Sequence, residues 1–295
     1  MITGRSMENE SSSNRLRVAV VGPEKNGKSW LFATSPGIKL DLDFDRRADA
    51  LAGRKGLYAL TFEDPQYPKM PETAEEIVDI MTDLEKSLDL SKLIRRNGQR
   101  LLPDAPPETI VENIAFDSIS SFAKSQMEYE MYNNPALRRE IKIGPNQLIY
   151  LPKSFDTWNA EQKGVEAIIM RAFALPVNVF CMFHEKAEEA PDSSEDHPKF
   201  TGRVTIYPNR YKSILKYFNE VWRVKLTQVG GKYLPRVYPL PDYSMDACTT
   251  MQLDAVEEPS IEAMIAKHRV RSGQTKTLTT GLPAATTGNA SNASK

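Results

Sequence analysis

The chain has 295 residues, 40% hydrophobic and 26% charged, the make-up of a globular chain able to bury a real core. With 38 Lys and Arg against 39 Asp and Glu the formal net charge is -1, which excludes a whole-chain polyelectrolyte attraction to nucleic acid or anionic lipid and leaves only local patches. The two cysteines, Cys181 and Cys248, have neither metal-ligand nor C-x-x-C spacing, so a reducing, cytoplasmic setting is expected.

Residues 1–14 are polar and Ser-rich without an apolar stretch of signal-peptide length, so a disordered segment is expected there, with Met7 as an alternative start. The apolar run 16–21 predicts a strand that feeds Gly22-Pro23-Glu24-Lys25-Asn26-Gly27-Lys28-Ser29, a full match to G-x-x-x-x-G-K-[ST]. In such a loop backbone N–H groups curl around phosphate oxygens, Lys28 reaches the β- and γ-phosphates, and the Ser29 hydroxyl ligates Mg²⁺. A short helix should follow and stop before Pro36, with Trp30 packing under the loop or near the base.

Residues 37–45 predict a second strand ending in Asp41, Asp43 and Asp45, and 57–62 a third. Thr73 opens a helix with a capping box to Glu76, and 91–107, with Arg95, Arg96 and Arg100, reads as a solvated basic insertion. Residues 109–116 predict a strand ending in Asp117-Ser118, followed by a helix over 119–131. A long connection over 133–155 carries Arg138, Arg139, Lys142 and Tyr150. A helix over 156–173 then leads to a strand over 177–183 that ends in His184.

Residues 185–196 read as an acidic loop, and Lys199, Arg203, Arg210 and Lys212 as a basic continuation. Strands over 221–226 and 232–238, separated by Gly230-Gly231, predict a hairpin. Pro259-Ser260 introduces a last helix to about His268, and from Arg271 onward the chain has too few large apolar residues to offset its ordering entropy. Trp158 and Trp222 are expected in the core. The most apolar window, 167–183, is interrupted by Arg171, Pro176 and Asn178, so no membrane span is expected.

Strands alternating with helices behind a phosphate loop imply an α/β fold with a mostly parallel sheet whose chemistry lies at the carboxyl ends of the strands. Four such ends are loaded: Gly22 to Ser29, Asp41 to Asp45, Asp117-Ser118 and His184. The long interval between Lys28 and Asp117 holds at least one extra strand, which fits NTPases with an inserted strand and a separate catalytic acid better than nucleotide kinases or GTPases. Taken alone, Asp117-Ser118 reads as a helix N-cap, and His184 as a satisfied loop residue.

In these four pieces, taken in order, the chain resembles the RecA-like recombinase ATPases, especially the phage single-strand-annealing and recombination type. The resemblance spans about residues 16–238 and rests on the phosphate loop, Leu40-Asp41-Leu42-Asp43, Ala115-Phe116-Asp117-Ser118-Ile119-Ser120 and Cys181-Met182-Phe183-His184. It implies a RecA-like ATPase domain over 15–240, an extension over 241–270 and a disordered tail over 271–295. It further implies that Gly22 to Ser29 and Trp30 bind nucleotide and that Ser29 and Asp117 hold Mg²⁺. Asp43 then stands in place of the family's catalytic glutamate, with Asp45 or Asp41 in reserve, and His184 in place of its γ-phosphate-sensing glutamine.

By the same resemblance the two loops that touch DNA are 133–155 and 185–210. The first supplies Arg138, Arg139 and Lys142 for phosphates and Tyr150 for base stacking; the second is too acidic to match well. The implied protein is an Mg²⁺-dependent ATPase acting on single-stranded DNA as a homo-oligomer, with Arg203, Arg210 and Lys212 as basic residues offered to a neighbour. A nucleotide-switched protein-interaction module is the alternative. A nucleoside kinase is the weaker third reading, for want of an Arg-rich lid.

Overall fold

A computed structural model describes residues 15–64, 70–144, 147–191, 194, 199–244 and 246–273. The expectations for 1–14, for the tail beyond 273, and for Asp192, Glu195 and Asp196 lie outside the described residues.

The strands are β1 (Arg17–Gly22), β2 (Lys39–Asp43), β3 (Leu57–Thr61), β4 (Asn113–Asp117), β5 (Arg138–Gly144), β6 (Gln147–Pro152), β7 (Asn178–Glu189), β8 (Phe200–Tyr207), β9 (Glu220–Val229) and β10 (Lys232–Tyr238). The helices are α1 (Lys28–Ala33), α2 (Thr73–Lys86), α3 (Ile119–Asn133), α4 (Phe155–Ala174) and α5 (Ile261–Ser272). The main sheet runs β10-β9-β1-β7-β4-β2-β3, with β8 hydrogen-bonded to the far part of β7. The pairs from β9 through β3 are parallel, and only the β10 and β8 pairings are antiparallel. This is the mostly parallel, helix-flanked sheet with a C-terminal hairpin expected of a RecA-like core.

Period-two alternation explains why the sheet is covered on both faces. Along β1, Ala19 and Val21 enter one apolar cluster with α2, α3 and α4, while Val18 and Val20 enter the other with Leu31, Phe32 and the α5 residues Ile261, Met264 and Ile265. The neighbours of β1 are β7 and β9, both late in the sequence, whereas the chain leaves β1 for β2 and β3 on the far side of β4. That reversal opens a crevice at the carboxyl ends of β1, β7 and β4, where ligands of open α/β sheets bind.

Several local expectations are corrected. Thr73 is the first helical residue, not the cap; Glu72 stands at the N-cap without a side-chain hydrogen bond, and the Thr73 N–H is met by Asp64 (2.9 Å). The 91–107 insertion is pinned to α2: Arg96 pairs with Glu75 and Asp79, and Leu93 and Ala105 are buried. The 133–155 connection is a two-stranded sheet, β5 with β6, since the Ile141–Ile149 and Arg139–Leu151 cross-strand pairs give it a register. The segment after His184 is no loop either, because β7 continues to Glu189 and pairs with β8. Trp222 is fully buried as expected, but Trp158 is 39% exposed under the guanidinium of Arg210. Finally, α5 runs past His268 to Ser272, and its Arg271 pairs with Asp254 (2.7 Å). Among the described residues, no helix is long and apolar enough to cross a membrane.

Candidate functional site

The phosphate loop leaves β1 under tight steric control. A Cβ on Gly22 would lie 2.4 Å from the Val224 carbonyl oxygen of β9, so only glycine lets these two strands meet there. Gly27 has φ +86° and opens α1 from the left-handed region. The helix ends at Ala33, where Thr34 and Ser35 donate their hydroxyl hydrogens to the Leu31 and Phe32 carbonyls before Pro36.

Lys28 is buried, and its ammonium donates to the carbonyls of Gly22 (3.0 Å) and Pro23 (2.8 Å), so it lies along the inside of the loop. Burial lowers its pKa, while Asp117, Asp45 and Glu185 oppose that shift through their charge. The Ser29 hydroxyl donates to the Asp117 carboxylate, joining the end of the loop to the end of β4. Burial pushes Asp117 up to about 6 despite that hydrogen bond, with the Asp45 charge adding to the rise. Ser118 follows through a cis peptide bond and caps α3, accepting from the Ser121 N–H (3.3 Å).

The three acids of β2 and its end have three different environments. Asp41 is buried; its Oδ1 makes no hydrogen bond among the described residues, and burial raises its pKa well above the carboxylate range, which favours the neutral acid. Asp43 is 1% exposed and fully engaged: its oxygens accept from the N–H groups of Arg47 (3.0 Å) and Ala48 (2.9 Å) and from the Thr61 hydroxyl (3.2 Å). It holds the 3-10 turn Ala48–Leu51 in place and does not reach the cleft.

Asp45 does reach it. Its Oδ1 accepts from Ser118 (3.0 Å) and Ser121, and its Oδ2 lies 3.5 Å from Nε2 of His184. Burial alone would raise its pKa, but the hydrogen bonds from His184 and Ser121 prevail and hold it down at about 2. Nε2 of His184 is also 3.2 Å from the Ser118 hydroxyl. The backbone N–H of His184 donates to Ser120 (3.3 Å), which donates in turn to the Tyr207 carbonyl (2.6 Å). A cleft of about 1020 Å³ extends from Pro23 past Asp45, Ser121 and His184 to Lys124 and Tyr207.

The sheet therefore brings Lys28, Ser29, Asp117, Asp45 and His184 together where β1 and β4 end on either side of β7 and at the turn beyond β2. Sequence reasoning missed Ser118 and Ser121 as partners of Asp45; the only signal was the density of serines after Asp117. Trp30 faces the guanidinium of Arg54, 5.5 Å from its ring centroid.

The expected nucleic-acid residues separate. The Arg138 guanidinium lies 3.9 Å from the Tyr150 ring centroid, pairs with Glu140 and donates to the Met131 (3.0 Å) and Tyr132 (2.9 Å) carbonyls, so its donors are used within the fold. Arg139 and Lys142 are exposed. Of the residues expected to serve a neighbour, Arg210 pairs with the buried Glu161, and Arg203 (2.9 Å) and Lys212 (4.0 Å) pair with Asp246. Among the described residues no group of three or more His, Cys, Asp or Glu is disposed to hold a metal by itself.

No family model matches the chain, and no curated protein matches it in sequence. A similar solved structure is the flagellar accessory protein FlaH from Methanocaldococcus jannaschii, at 12% identity over 79% of this chain and 83% of that one, with a TM-score of 0.31. At that score the similarity carries no argument about activity.

Proposed function

We propose that this chain is an Mg²⁺-dependent ATPase whose hydrolysis is coupled to single-stranded DNA. The observation that carries the nucleotide part is the Ser29–Asp117 hydrogen bond beside the buried Lys28. A motif serine and a strand-end acid 88 positions apart meet at one point, as an Mg²⁺·nucleotide site requires. Both are hard oxygen donors, and Mg²⁺ characteristically takes one or two protein oxygens together with substrate phosphates. Ser29 and Asp117 would hold the cation, which would supply charge neutralisation to the phosphates.

The chain's own residues divide the remaining work. Lys28 exchanges the two loop carbonyls for phosphate oxygens. Asp45, ionised and lining the cleft with Oδ2 beside His184, orients and polarises the attacking water in the role first expected of Asp43. His184, on β7 level with Gly22 at the end of β1, donates toward the transferring phosphoryl group. Arg139 and Lys142 offer phosphate contacts from the β5–β6 hairpin. Assembly of copies of this chain around DNA, in recombination or annealing of the phage type, is the cellular role that the sequence resemblance favours.

ATP turnover measured with and without single-stranded DNA, at low and high salt, tests this reading. Turnover that depends on Mg²⁺ and Lys28 and rises with DNA supports it. Turnover indifferent to DNA leaves the nucleotide-switched interaction module, and no turnover or binding removes the ATPase.

A further inference from the structure

The side of the site opposite the acids is built as well. The face of the β9–β10 hairpin that enters the core through the cross-strand pair Val224–Val237 continues outward through Leu226–Pro235 and then Gln228–Tyr233. Directly cross-strand residues share a face, so these six side chains form one stripe. Pro235 of its middle pair lies against the phosphate loop: a Cβ on Gly27 would sit 3.3 Å from both its Cβ and its Cγ. Beyond that contact the stripe is open. Leu226 is 42% exposed and Tyr233 is 68% exposed, although both are large and apolar-bodied.

The polarity of the site decides what could cover this stripe. Asp117, Asp45 and His184 all lie on the β7, β4 and β2 side of β1, and β9 and β10 lie on the other. Under the ATPase reading, a triphosphate on the loop would turn its reacting end toward Ser29 and Asp117. Its nucleoside end then leaves in the opposite direction, past Gly27 and onto Pro235. We infer that the Leu226, Pro235 and Tyr233 face of the β9–β10 hairpin is the nucleobase seat, with Tyr233 stacking on the base and Leu226 and Pro235 flooring it. The inference rests on the ATPase reading above and adds to it the place in this fold where the base sits. Stacking is tolerant of base identity because every base has a π-face, so the seat favours purines by ring area and not by hydrogen-bond pattern.

Binding of Mg²⁺·ATP and of Mg²⁺·tripolyphosphate to the full chain tests it. Tyr233→Ala is expected to weaken ATP about tenfold and leave tripolyphosphate unchanged, whereas Tyr233→Trp keeps ATP affinity, since an aromatic face and not the hydroxyl is needed. Lys28→Ala is expected to weaken both ligands. Loss of both in Tyr233→Ala, or of neither, overturns the base seat while leaving the phosphate loop intact. Failure of the unmodified chain to bind either ligand removes the triphosphate reading and the seat together.

Discussion

Ser29 donates to Asp117 across 88 positions of sequence, and this one hydrogen bond joins the phosphate loop to the end of the strand two places away in the sheet. In the proposed site the pair would give up this hydroxyl–carboxylate bond to hold a cation. Ser29→Ala removes one oxygen ligand and leaves the carboxylate, so Mg²⁺ dependence of turnover should shift to at least about tenfold higher concentration with a smaller change in metal-free nucleotide binding. Titration of Mg²⁺ at saturating ATP measures this. An unchanged Mg²⁺ midpoint rejects the serine as ligand.

Asp43 and Asp45 should separate in opposite readouts. Asp45→Asn should cut turnover by about two orders of magnitude with nucleotide affinity near wild type, as expected of a lost positioned base. Asp43→Asn should instead lower thermal stability, because two backbone N–H groups and the Thr61 hydroxyl lose a charged acceptor. Equal turnover of Asp45→Asn and wild type rules out the assignment.

Two hydroxyls on Oδ1 of Asp45 leave Oδ2 as the oxygen directed at His184. Ser121 is accordingly a positioning residue. Ser121→Ala should lower kcat about tenfold without raising KM, and Ser121→Thr, which restores the hydroxyl, should recover most of it. A fall in KM and kcat together, or no rescue by threonine, points to a packing role.

Stability should respond to pH through Asp45. Its folded-state pKa is about 2, below the ordinary carboxylate range near 4, so its contribution is full above about pH 5 and is lost as pH falls through the folded value. The difference in unfolding midpoint between wild type and Asp45→Asn should therefore shrink as pH falls below about 4. A difference that instead grows on acidification contradicts the depressed value.

The hairpin residues should divide by their partners. Replacing Arg139 and Lys142 with alanine should weaken single-stranded DNA binding and flatten its salt dependence, since each phosphate contact releases counterions. Arg138→Ala should lower stability, because its guanidinium holds the Met131 and Tyr132 carbonyls and covers Tyr150. Wild-type affinity and salt slope in the double variant would leave the exposed cations as solvated surface.

Much of the scaffold was legible in the chain because its signals are local. The phosphate loop is eight consecutive residues, β1 through β4 are short apolar runs bounded by turn residues, and Gly230-Gly231 marks the β9–β10 turn. Asp117 was legible as a strand-end acid and Ser118 as a helix cap for the same reason. Where propensity and pairing compete, the chain alone misled. The 138–152 segment looks like a basic loop until cross-strand pairing supplies partners for its apolar residues, and β7 continues beyond His184 only because β8 returns to pair with it.

The tertiary structure alone decided how the three acids of β2 and its end are placed. Asp41, Asp43 and Asp45 alternate identically in sequence, yet one is buried in neutralising surroundings, one is consumed by the turn that follows β2, and one is turned into the cleft by hydroxyls from α3. Those partners lie more than 70 positions away for Asp45 and within 18 for Asp43. Sequence determined the identity and order of the chemical groups, because motif and period are properties of neighbours along the chain. Direction, ionisation and partnership followed from which strand ends the sheet order placed side by side, and that order depends on long-range pairing.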